Sequence, residues 1–188
     1  MALAEAVTSS ALATEKRIRA AWLLKDLACA ASWRSLVQTA SDVSEPRELR
    51  LTILDTLERI AFGGQVVAGD LSEPSRVFEQ DAELFRRWVM VLATLSTPEA
   101  IAVLREHCRN PERRNTVLAV IADYPNEWVD AFLEEVLALD GGDPVARAVV
   151  AERRYGKLVN ELSERCSPNA VGEQIVKILS DRTVRTNR

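Results

Sequence analysis

A chain of 188 residues with 47% apolar and 28% charged side chains carries too much apolar material to stay disordered and enough to bury a core. Its net charge of −4 disfavours a broad grip on nucleic acid, which needs a concentrated basic surface. Apolar runs fall short of the ~18 residues a membrane helix needs, and the start Met1–Ala6, with Glu5 and no basic flank, does not read as a signal peptide.

The charge is uneven. Residues 1–70 carry 8 basic and 9 acidic side chains, 71–142 carry 7 and 13, and 143–188 carry 9 and 6, so an acidic middle precedes a basic end. Arginine outnumbers lysine 20 to 4, which reads mainly as genome composition. Cys29, Cys108 and Cys166 are odd in number and far apart, as free thiols in a reducing compartment would be. The cytoplasm is the expected location.

Taken in order, residues 3–14 are Ala-rich and helical in pattern. From Thr14 to Ala40 the apolar spacing predicts one helix buried on more than one side, with Trp22, Cys29 and Trp33 on a shared face. Residues 41–46 form a break. A helix follows to Phe62 with the stripe Leu51, Leu54, Leu57 and Ala61, flanked by Ile53 and Ile60, and Gly63-Gly64 ends it. Residues 65–71 connect to a turn at Ser72-Glu73-Pro74 that contains Val77 and Phe78.

Between Asp81 and Leu162 the chain reads as helix, proline-marked break, helix. Thr97, Asn110 and Asp143 each stand directly before a proline, the signature of a helix start: the side chain accepts from an orphan N–H, and proline at the first position loses no bond. The predicted apolar stripes are Phe85, Trp88, Val89, Leu92 and Leu95; then Ile101, Leu104 and Cys108; then Val117, Val120, Ile121 and Tyr124; then Trp128, Phe132, Val136 and Leu139. A long helix from Pro144 through Tyr155 to Leu162 and a last one from Ser167-Pro168 complete the pattern. No stretch alternates as a strand does, so the expected fold is all-α in a single domain. Residues 1–40 form N-terminal helices, 41–182 helical-hairpin repeats, and 183–188 a frayed basic tail.

First helices begin near residues 80, 111 and 144, a period of roughly 31–33 residues that falls in the range of helical-repeat arrays. The segment Asp143-Pro144-Val145-Ala146-Arg147, with Ala148, Ala151 and Gly156-Lys157-Leu158, resembles the first helix of a HEAT repeat. A proline with a downstream arginine at Pro46–Arg50 and Pro111–Arg114 is a weaker version. The resemblance implies stacked antiparallel hairpins in an α-α superhelix, or solenoid; an irregular helical bundle is the rival. A hairpin cannot bury both apolar faces alone, so stacking would place Trp88, Trp128 and Tyr155 in a continuous core.

Chemistry is sparse. His107-Cys108 is the one meeting of His and Cys, but adjacent helical residues point ~100° apart, which leaves no facing nucleophile–base pair. The spacings CxxC, HxxxH and HExxH are absent, and Gly63–Gly69 lacks the lysine of a phosphate loop. Catalytic residues, metal ligands and cofactors are therefore not assigned.

Two surfaces stand out. Arg86-Arg87, Arg113-Arg114 and Arg153-Arg154 sit in successive first helices and would form a basic ridge if in register. Glu127, Asp130 and Glu134 share a helical face as an acidic strip, opposite Trp128, Phe132 and Val136. The function expected is a non-catalytic scaffold or adaptor that binds another protein. The alternative is nucleic-acid binding or base repair in an arginine-lined groove, as in the DNA glycosylases among HEAT-like proteins, whose own motif this sequence does not match. A third reading is a capping piece of a larger assembly.

Overall fold

Local signals place most of the helices. In the computed structural model, residues 2–27, 30–63, 66, 69, 71–140, 147–154 and 156–157 are described. Among these residues there is no strand, and the fold is all-α. The elements are α1 (Ala2–Thr8), α2 (Thr14–Leu27), a 3-10 turn (Ala30–Ser32), α3 (Trp33–Ser41), α4 (Arg47–Phe62), α5 (Ser72–Phe78), α6 (Ala82–Leu95), α7 (Pro98–Cys108), α8 (Pro111–Ile121) and α9 (Glu127–Asp140). By contact density the chain divides into two units, residues 1–132 and 133–188. Each is taken by itself below.

Two of the three predicted caps, Thr97 and Asn110, are formed. The Thr97 side chain accepts from the Ala100 N–H and Asn110 from Glu112, each before a proline at the first helical position. Asp81 caps α6 by accepting from the N–H groups of Glu83 and Leu84. Its carboxylate also takes both arms of Arg47, which with those N–H groups holds its pKa far below the ordinary range. Each such cap supplies ~1 kcal/mol. Asp143, Tyr155 and the expected last helix lie outside the described residues.

Several expectations are corrected. Residues 14–40 are not one α-helix: a 3-10 turn at Ala30–Ser32 separates α2 from α3. Trp33 is buried and Trp22 is 51% exposed, so the shared face does not exist; Cys29 lies outside the described residues. On α4, Leu51 is only half-buried, while Leu49, Ile53, Leu54, Leu57, Ile60 and Ala61 are buried. That helix packs against α2, α3 and α6, so the burial on several sides expected of residues 14–40 belongs to α4. Tyr124 falls beyond the end of α8, in the turn before α9. Gly63 does follow α4 but keeps a right-handed φ of −70°, so no left-handed cap requires it.

In the first unit, packing runs in two series. Helix α2 packs on α4, α4 on α6 and α6 on α8; α1 packs on α3 and α3 on α5. The series join where α1 meets α2, α3 meets α4, α5 meets α6 and α7 meets α8. Side-chain bonds across these contacts recur at a steady separation: Arg47–Asp81 spans 34 residues, Thr56–Ala21 35, Arg87–Asp55 32 and Asn126–Ser96 30. The core is centred on Trp88, fully buried, which lies 5.1 Å from the Phe78 ring and donates from Nε1 to Ser75 Oγ at 2.6 Å. A polar atom on a buried indole needs such a partner.

A second regularity lies in the arginines. Arg17, Arg50 and Arg114 each occupy the fourth position of α2, α4 and α8. All three are buried. Each donates from Nε to a carbonyl at the C-terminal end of the preceding helix: Val7 at 2.7 Å, Ala40 at 2.7 Å and Cys108 at 2.8 Å. The last turn of a helix leaves carbonyls without intrahelical partners, and a cation there also opposes the negative end of the dipole. Helix α6 has Phe85 at the same position, edge-on to the His107 ring at 4.9 Å.

In the second unit, Leu133 and Val136 on the later part of α9 are buried, as is Val150 in the helical stretch 147–154.

Candidate interaction surface

The His107–Cys108 pair is where chemistry would be sought first. His107 is 4% exposed, and its Nδ1 lies 3.0 Å from Glu79 Oε1. Arg113 reaches the other Glu79 oxygen at 2.6 Å. Burial, with Arg113 nearby, pushes the imidazole pKa down to about 4. Arg113 neutralises the carboxylate that would otherwise favour the imidazolium, so burial wins. Nε2 is buried with no hydrogen-bond partner among the described residues. Burial also pushes the Cys108 thiol up to about 12, which leaves no thiolate at neutral pH. The arrangement is a neutral, shielded polar pair within the packing. No group of three or more His, Cys, Asp or Glu able to hold a metal occurs among the described residues. No helix among them is long and apolar enough to cross a membrane.

The arginine pairs have diverse settings. Arg86 is exposed on α6. Arg87 is bound to Asp55 at 2.7 Å and to Glu83 at 3.1 Å. Arg113 is bound to Glu79, and Arg114 is turned inward on the Cys108 carbonyl at 5% exposure. A contact ridge therefore does not include Arg114, whose guanidinium is spent on the helix junction. In the second unit, Arg153 is half-buried and engaged, and Arg154 is exposed and paired with Glu134. Of the acidic strip, Glu127 is exposed, Asp130 is half-buried and engaged, and Glu134 is exposed in its pair with Arg154.

A feature that sequence reasoning missed is an open cavity of about 560 Å³ in the first unit. It lies where the C-terminal ends of α2, α4 and α6 meet the turn after α8. Lys25, Glu58, Phe62, Thr94, Tyr124 and Pro125 contribute to its lining. Phe62 is 75% exposed with the Arg59 guanidinium 5.6 Å over its ring, and Lys25 stands 5.0 Å over Trp22. The Tyr124 hydroxyl ties the wall together, 3.2 Å from both Thr94 Oγ1 and the Met90 carbonyl and 3.4 Å from Glu58. Burial and the neighbouring Asp55 raise the Glu58 pKa. The sequence signal for it is Phe62 directly before Gly63-Gly64, an aromatic at a helix end.

Comparison with protein-family models, curated proteins and solved structures finds no match to this chain. The class defined by the fold is an all-α protein of sequentially packed helices.

Proposed function

We propose that the chain is a non-catalytic protein-interaction scaffold built as HEAT-like stacked helical pairs, and that it grips its partner at the cavity edge lined by Phe62. The single observation that carries this reading is the exposed Phe62–Arg59 stack on the rim of a 560 Å³ opening. Large exposed aromatics beside arginine are the side chains that dominate protein–protein contacts, and an opening behind them takes an inserted side chain. Stacking is supported by the two packing series, by bonds that recur at 30–35 residues, and by the arginine that seals successive helix junctions. The nucleic-acid alternative draws less support, because Arg87, Arg113 and Arg114 are already held by the protein.

The test is co-purification from lysate of the native host, with and without nuclease treatment, with Phe62→Glu and Arg59→Glu compared against Arg86→Glu. A stoichiometric protein lost on changing Phe62 or Arg59, while helicity is intact, supports the cavity edge. Recovery of nucleic acid, or loss with Arg86→Glu alone, overturns it.

A further inference from the structure

The outer side of α2 is not finished as the end of a helical array should be. A terminal helix is expected to show a polar outer face, yet Trp22, Leu23 and Leu27 are 51%, 51% and 65% exposed within six residues. The buried side of the same helix holds Arg17, Ala20, Ala21 and Leu24, turned to the rest of the unit. Helix α1 packs on α2 and α3 and leaves those three side chains uncovered.

We propose that this face pairs with α2 of a second copy of the chain, antiparallel, about a two-fold axis passing between positions 22 and 23. The pattern is self-complementary. Arg19 and Asp26 are both exposed and stand seven residues, two helical turns, apart. They therefore lie on one line of the helix, with Trp22 to one side and Leu23 and Leu27 to the other. In an antiparallel pair centred at that point, position n faces position 45 − n. Arg19 then meets the second copy's Asp26, and Asp26 meets the second copy's Arg19. Trp22 packs beside its own counterpart, and Leu23 beside its own. An isologous contact uses one patch twice, so the two ion pairs come from a single arginine and a single aspartate. Neither has an ion-pair partner among the described residues. The parallel alternative would set Arg19 beside Arg19 and Asp26 beside Asp26, so charge selects the antiparallel arrangement. This face adjoins the Phe62 cavity edge at Lys25, which lines the cavity and stands over Trp22, but the two are tested by different substitutions.

Sedimentation velocity over a concentration series, at low and moderate salt, is the measurement. The expected result is a species of twice 20.9 kDa whose formation weakens with salt. Arg19→Asp and Asp26→Arg each weaken it at least tenfold, and the double exchange R19D/D26R restores it. Trp22→Ser weakens it with unchanged circular dichroism. Restoration by the exchange separates a facing pair from a general loss of folding. A 20.9 kDa monomer at every concentration overturns the proposal. So does a dimer indifferent to Trp22→Ser, or one that the double exchange fails to restore.

Discussion

The Arg17–Glu45 contact lends itself to a quantitative test. Arg17 is 4% exposed and donates three times: from Nε to the Val7 carbonyl at 2.7 Å, and from both fork nitrogens to Glu45 at 2.6 Å. Glu45 stands at the entrance of α4, so one guanidinium ties α1, α2 and the α3–α4 turn together. Replacing Glu45 by Ala leaves a buried cation with one remaining acceptor. Breaking a buried pair from one side costs ~3–5 kcal/mol, and we take about 3 because Glu45 sits nearer the surface than Arg17. For a chain of this length each kcal/mol moves Tm by ~2–4 °C, so the expected drop is roughly 6–12 °C. Arg17→Met removes the charge instead of stranding it, and Glu45 rehydrates. Its cost is the Val7 hydrogen bond, about 1–2 kcal/mol. The double variant R17M/E45A then costs less than the sum of the singles, with a coupling of ~1–3 kcal/mol. Urea unfolding followed by far-UV circular dichroism, with unchanged m-values, reads all four corners. If Glu45→Ala costs less than ~1 kcal/mol, or if the two changes simply add, the clamp is not there.

Other outcomes follow from single side chains. His107 binds its proton less readily folded than unfolded, so the unfolded state holds more protons between pH 6.5 and about 4, and stability falls as pH falls through that window. The full effect is about 3 kcal/mol, from 1.36 kcal/mol per pKa unit; subtracting the pH profile of His107→Phe from that of the wild type isolates it, and identical profiles would refute the account. Cys108 should resist alkylation at pH 8 until the chain unfolds, as peptide-resolved mass spectrometry would report; rapid labelling of native protein would contradict its burial. Ser96 has a left-handed φ of 53°, and its hydroxyl accepts from Asn126 and from Trp128 Nε1. Ser96→Gly and Ser96→Ala both lose those bonds, but glycine avoids the backbone cost, so the Gly variant should be more stable than the Ala variant by ~1 kcal/mol in chemical denaturation. Equal stabilities would mean the backbone there is unstrained.

What could be read from the chain is what is local. Thr97 and Asn110 announced their helices because a cap and a proline act over a few residues, and Trp88 and Phe132 announced the core through four-residue spacing. The split between α2 and α3 was hidden because residues 28–32, Ala-Cys-Ala-Ala-Ser, contain no Gly or Pro, while the packing of Trp33 lies beyond any local window. The apolar stripe alone puts Leu51 in the core, whereas α2, α3 and α6 cover the sides of α4 that carry Leu49, Ile53 and Ile60. Arg114 read as surface because charge usually is. Its role depends on a carbonyl that the preceding helix delivers, and the one available clue was the return of arginine shortly after Pro46 and Pro111. Phe62 and its cavity are built from four separated segments, so no window of the sequence contains them.

The steady spacing of cross-helix bonds also bears on how the first unit is made. With partners only some 30–35 residues away, each helix meets its neighbour soon after it leaves the ribosome, and little loop entropy is spent before a contact forms. The Tyr124–Glu58 hydrogen bond, 66 residues apart, reaches across two such steps and closes late. Opening should therefore begin at the edges and spare the middle. Backbone amides of α4 and α6 would be the last to exchange with deuterium, those of α1 among the first.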